Sequence, residues 1–248
     1  MRKLVYILVL SLIFACDSEN ANDCVQKTGA IIQQEITVDD FTTILVNRDI
    51  ELIIKEGATQ KIVVETGTNL MNDVEVVVTN GELILTDNNS CNYVRDYGVT
   101  KVYVTSPNIT KIRSSTQYTI SSEGVLTYPN LTILAEDFNA PGTFTNGNFN
   151  LEIDNTSFNV VFNNLSNCFV SGKTTTLDIT FAAGTSRFEG GNLTAQNVDV
   201  WNRSSNDMIV NPQQSISGKI SGTGDVISVN TPPTITVEEI YTGRLIFE

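Results

Sequence analysis

The chain has no histidine among its 248 residues. That removes the commonest general base and the commonest metal ligand. Hydrolases of the Ser-His-Asp or Cys-His kind are excluded, and so is a histidine-based zinc site. Positive charge is scarce: 15 Lys+Arg stand against 28 Asp+Glu, a net of −13. Phosphate backbones repel such a polyanion, which argues against nucleic-acid binding. Helical periodicity is missing as well. No stretch repeats apolar residues every three to four positions between caps, and only Thr68-Asn69-Leu70-Met71-Asn72 hints at a helical turn. The four cysteines form no metal motif, so neither metal nor cofactor is expected.

One long apolar run is present, and it opens the chain. Arg2 and Lys3 precede Leu4 to Phe14, a run within the roughly 7–15 residues of a secretory signal. It is short of the ~20 residues a membrane span needs. Ile13-Phe14-Ala15-Cys16 resembles a bacterial lipobox, with Phe14 bulkier than usual there. Residues 1–15 therefore read as a signal peptide and Cys16 as the lipid anchor. Residues 16–30 then form an acidic tether, since Asp17 to Asp23 are polar and patternless. Losing Arg2 and Lys3 takes the mature charge from −13 to −15. This predicts an extracytoplasmic protein anchored to the outer membrane, on its periplasmic face or at the cell surface, with the membrane as its first partner. In an oxidising compartment, Cys24 and Cys91 sit in polar turns and pair as a disulfide, whereas Cys168 in Asn167-Cys168-Phe169-Val170 reads as a buried small hydrophobe.

After residue 30 the chain is strands. Leu, Ile and Val alternate with polar residues in period two, as in Glu51-Leu52-Ile53-Ile54 and Val74 to Val78. Asn80-Gly81 between two such runs is a hairpin signal. From residue 112 onward strand starts recur at 112, 131, 151, 177, 198 and 219, each followed by a small turn and further short strands. A period near 20 with three short strands predicts an all-β fold, a parallel β-helix or solenoid over residues 111–248. The wide step from 151 to 177 predicts a bulge at Gly172 to Thr176. Asn139, Asn146, Asn155, Asn163, Asn164 and Asn192 are expected at left-handed corners. Residues 31–110 lack the period and read either as an irregular β meander packed on the coils or as a more irregular start of the same solenoid. A β-sandwich is the alternative.

Several segments resemble the head GIN-domain family, which carries the label of auto-transporter adhesin and is abundant among Bacteroidetes lipoproteins. Phe41 to Gly57 resembles its opening strand pair, and Val74 to Thr86 its glycine-divided pair. Val102-Tyr103-Val104-Thr105-Ser106-Pro107-Asn108-Ile109 is similar to its Val-x-Val-Thr-x-Pro segment. Of its repeated Gly-Ser-Gly-Asp turns only Ser221-Gly222-Thr223-Gly224-Asp225-Val226 comes near. Asn155-Thr156-Ser157, Ala183 to Ser186 and Ser204 to Asp207 stand at the other turns, so this is a divergent member over about residues 36–248. The resemblance implies a right-handed β-helix-like fold and export to the surface or periplasm. It implies no catalytic residues.

Candidate chemistry is sparse. Glu152, Asp178 and Asp199 on one strand column would form an outward acidic ladder, able to hold a cation or act as paired carboxylates. Glu136, Asp137, Asp154 and Asp207 recur nearby. Trp201, Tyr118, Tyr128 and Tyr241 are the aromatics expected at the surface. Trp201 with Asn202 and Arg203 is the candidate glycan contact, with one ring to stack and two side chains to bond hydroxyls. The reading is a binding or structural role in adhesion or glycan contact, with no catalytic site assigned. The alternatives are a carbohydrate-active enzyme using carboxylates and a scaffold joining another surface protein.

Overall fold

The computed structural model describes residues 18–19, 21–89 and 91–248. The leader and Cys16 lie outside them. The fold is all-β, a 17-stranded sheet. Seven strands occupy the first part: β1 (Ile31–Ile36), β2 (Thr43–Val46), β3 (Ile50–Glu56), β4 (Lys61–Gly67), β5 (Val74–Thr79), β6 (Glu82–Asp87) and β7 (Thr100–Ser106). Three follow: β8 (Lys111–Ser114), β9 (Ile120–Leu126) and β10 (Asn130–Ala135). Four are long: β11 (Phe149–Phe162), β12 (Asn167–Phe181), β13 (Arg187–Asn202) and β14 (Met208–Ile220). The chain closes with β15 (Val226–Ser228), β16 (Thr234–Glu239) and β17 (Leu245–Phe247). Apart from these there are two 3-10 turns, Asp23–Val25 and Met71–Asp73.

Period-two alternation decides which side chains go inside. In β7 the buried positions are Thr100, Val102, Val104 and Ser106, and the residues between them are half-exposed. The pairing then stacks like on like. One buried column runs Leu83, Ile44, Ile112, Ile133, Val160, Ile179, Val200 through parallel pairs. A second runs Val102, Leu52, Ile120, Phe149, Cys168, Phe188, Met208, Val226. Cys168 is thus a core residue in an apolar column, and burial pushes its thiol pKa up. Between the columns the rings of Phe149, Phe162 and Phe181 stack at 5.4 and 5.5 Å.

The phase of the repeat differs from the expected one. Leu177 pairs with Val198 as anticipated, but Leu131 pairs with Phe158 rather than Leu151, and Val198 with Ile216 rather than Lys219. Leu151 belongs to the other column, opposite Val170. The extra residues lie in the loop between β10 and β11, not at Gly172 to Thr176, where β12 stays paired with β11. The corner asparagines also differ. Among described non-glycine residues only Asp49 and Asn80 have positive φ, and Asn155 and Asn192 lie inside β11 and β13. Asn80 and Gly81, at φ 52° and 76°, form the hairpin turn joining antiparallel β5 and β6.

The region before residue 110 continues the columns out of chain order. β2 lies between β6 and β8, and β3 between β7 and β9, all parallel. Antiparallel strands finish this end: β5 on β6, β4 on β7, and β1 on β4.

Candidate functional site

The predicted glycan contact does not assemble at Trp201, Asn202 and Arg203. Asn202 follows Phe162 and Phe181 in an inward column and is fully buried. Its amide donates to the carbonyl of Gly224 at 3.1 Å, and its Oδ1 accepts from the Ser204 N–H at 2.9 Å. A group consumed this way cannot meet a ligand, so Asn202 is a structural polar residue. Trp201 is half-buried. Lys219, opposite it on β14, places its ammonium 4.4 Å from the ring centroid. The indole N–H donates to Ser221 Oγ at 3.2 Å. Of the other expected surface aromatics, Tyr128 is buried and donates to the carbonyl of Ser106, Tyr118 is half-buried, and Tyr241 is exposed.

The acidic ladder is shorter than expected. Asp178 and Asp199 face each other on parallel β12 and β13, while Glu152 lies opposite Ser171 on a different column. Desolvation, and then the Asp199 charge, raise the Asp178 pKa above the ordinary carboxylate value. Asp199 accepts from Ser217 Oγ at 2.7 Å. The remaining carboxylates are tied into structure. Glu136 is buried and pairs with Arg113 at 2.8 Å, Asp137 accepts from Asn163, Asp154 pairs with Lys173, and Asp207 with Arg187. Among the described residues no group of three or more His, Cys, Asp or Glu could hold a metal ion.

A different surface has the features sought. Phe169 is 42% exposed on β12, between Asn150 on β11 and Glu189 on β13. Buried Cys168 and Val170 on either side force it outward and fix its backbone. It borders an open cavity of about 650 Å³ lined also by Ser122, Glu152 and Asn192. Glu189 is held by Arg187, whereas the Glu152 carboxylate has no partner among the described residues. An aromatic ring ringed by amides, a hydroxyl and a carboxylate can stack an apolar ring face and bond its polar rim. The sequence carries the signal for Phe169: if Cys168 is inside, period-two alternation puts Phe169 outside.

At the N-terminal end, Cys24 and Cys91 form a disulfide. Arg95 reinforces it, donating to the carbonyls of Asp23, Gln26, Asn89 and Cys91. Buried Gln26 donates to the carbonyl of Asn69 at 2.9 Å. The segment leading into β1 is thereby clasped to the sheet.

Against this geometry, the family model described as "Putative auto-transporter adhesin, head GIN domain" matches residues 40–232. The chain belongs to this family. Solved structures share the fold of this family member. A "putative adhesin" from Bacteroides fragilis NCTC 9343 is 18% identical at a TM-score of 0.78, covering 90% of this chain and 99% of its own. Another from Parabacteroides merdae ATCC 43184 is 17% identical at 0.65, covering 90% and 98%. A "putative lipid binding protein" from Parabacteroides distasonis ATCC 8503 is 13% identical at 0.58, covering 89% and 98%. No curated protein matches the chain.

Proposed function

We propose that this head GIN-domain protein is a lipid-anchored, extracytoplasmic adhesin-type binding protein whose body is a right-handed parallel β-helix. The in-register columns, with partners recurring at residues 149, 168, 188, 208 and 226, support the helical reading over a sandwich. Cys16 is the anchor. Seven residues separate it from the clasped Cys24, a reach of at most ~30 Å, so the N-terminal layers sit nearest the membrane and later ones project away. The names of the solved relatives agree with a binding role, though one is called lipid binding and not adhesin.

The observation that carries the contact reading is Phe169, an exposed aromatic on a rigid strand beside Asn150, Asn192 and Glu152. The ligand class that fits is a glycan, stacked on Phe169 with hydroxyls bonded by the amides. Three experiments test this. Labelling cells with a radioactive fatty acid should mark the wild type and not Cys16→Ser, and external protease should cut the wild type on intact cells. A glycan array probed with the mature protein should return ligands whose binding Phe169→Ala abolishes. Absence of label, protection from protease and an empty array would together refute the proposal.

A further inference from the structure

A second pocket lies at the corner where the turn after β2, the turn after β6 and the loop before β11 meet. Its volume is about 490 Å³, and Asn47, Arg48, Asp87, Asn88, Ser115, Gly142 and Phe144 line it. We propose that this pocket binds the carboxylate of an acidic sugar, an inference that rests on the glycan-contact reading above.

Arg48 carries the argument. Its guanidinium lies 5.1 Å from the centroid of the Phe144 ring. It makes no ion pair and donates no side-chain hydrogen bond among the described residues. In a chain with 28 acidic residues that is unusual. Arg113, Arg187 and Arg244 all pair with carboxylates, and Arg95 is spent on carbonyls. Arg203 also lacks a partner but stacks on no aromatic ring. The carboxylates nearest Arg48 in the chain and the pocket are engaged elsewhere. Asp49 accepts from Gln117 at 2.6 Å, and Asp87 accepts from Thr100 and Asn89, both at 2.6 Å. Neither carboxylate forms an ion pair with Arg48, so its five N–H donors have no acceptor among the described residues, in a fork that matches a carboxylate.

The rest of the pocket suits a sugar ring. Phe144 is 40% exposed, and its backbone N–H is fixed by Ser115 Oγ at 3.1 Å, so the ring is held in place. Gly142 has φ +89° and nothing within 4 Å of a Cβ built there, which leaves that wall low and open. Asn47 donates to Thr86 Oγ1 at 3.0 Å, which orients its amide, and the Asn88 amide adds a further polar group at the rim. Charge on the ligand is decided by Arg48, ring shape by Phe144, and hydroxyl bonding by the asparagines. This set differs from the Phe169 surface, whose unpartnered charge is the anionic Glu152.

The test uses the full mature protein, a glucuronate-terminated trisaccharide and its carboxyl-reduced counterpart, which keeps the ring and removes the charge. The wild type should bind the glucuronate form at least ~10-fold more tightly, the size of one charge-assisted bidentate contact. Arg48→Gln should bring the two affinities together, and Arg203→Gln should leave them apart. Phe169→Ala should not alter the ratio. Equal binding of both sugars by the wild type, or an unchanged ratio in a folded Arg48→Gln protein, would overturn the proposal while leaving glycan contact at Phe169 standing. Binding of neither sugar with an otherwise empty array would overturn both.

Discussion

The two ends of the sheet solve the same problem differently. At the N-terminal end the strands are short and laid down out of chain order, and antiparallel β1, β4 and β5 cover the last parallel pairs. Those covering edges mix Gln33, Gln34, Glu35 and Glu75 with the exposed apolar Ile31 and Val77, and the disulfide and Arg95 clasp lies beside them. At the C-terminal end the long strands β11 to β14 stack in chain order, and β16 and β17 each pair on one side only. That open edge exposes Ile235, Tyr241, Ile246 and Phe247. Polar and charged side chains blunt an edge strand against further pairing, while an apolar edge invites it. Both ends thus leave one-sided strands, β1 and β5 at one and β16 and β17 at the other, and the difference is the disulfide and Arg95 clasp that ties down the N-terminal end. Stacking of identical layers supplies the stability of the second region, whereas cross-links and hairpins supply that of the first.

The largest effect is expected inside the long-strand region. Phe162→Ala removes a fully buried ring between Phe149 and Phe181. It should cost about 3–5 kcal/mol, read as a shift of the denaturation midpoint, because adjoining layers cannot collapse into the gap. Glycines sharpen the contrast. Gly218, at φ +118°, would put a Cβ 2.0 Å from the carbonyl oxygen of Val200 in the next layer, whereas Gly81, at φ +76° in the hairpin turn, has open space. Gly218→Ala should cost about 3 kcal/mol or more, from strain and a backbone clash. Gly81→Ala should cost only the left-handed penalty of about 1–2 kcal/mol. Equal losses would show that interlayer contact does not distinguish the regions.

The smallest effect concerns the stacked carboxylates. A raised pKa at Asp178 means the folded chain holds that proton more tightly than the unfolded chain does. Its contribution to stability therefore falls as pH rises through the raised folded value, and the penalty is complete at neutral pH. Asp178→Asn should stabilise the protein by about 0.2–1 kcal/mol at pH 7, the range for opposed like charges. The gain should vanish in acid, below the ordinary carboxylate range. Thermal unfolding of both proteins across pH checks the sign.

Much of this architecture can be read from alternation alone. The inward positions of β3 and β7 follow from period two, and the Asn80-Gly81 pair marks the hairpin, whereas β12 changes phase between Thr174 and Leu177. Phase is harder, because both columns repeat the same apolar-polar pattern at nearly the same interval. Leu151 therefore aligns with Leu131 as readily as Phe158 does, although only Phe158 pairs with it. The interleaving of β2 between β6 and β8 leaves no trace in local sequence, since it depends on which distant strand arrives alongside. Asn202 misleads for a related reason. A polar residue beside a tryptophan suggests a surface, but alternation from Val198 and Val200 puts it inside, where turn backbone satisfies its amide. Phe169 is visible by that same logic, and Arg48 with Phe144 is not, because nearly a hundred residues separate them.

In the proposed function the ordered stack holds a contact surface around Phe169. Titration of one array-selected oligosaccharide against the wild type and Phe169→Ala, with Asp178→Asn as a folded control, tests it most directly. Stacking on an aromatic ring and loss of its buried area predict a fall in affinity of about tenfold or more for Phe169→Ala, with no change of affinity in the control. Wild-type affinity in Phe169→Ala would contradict the claim.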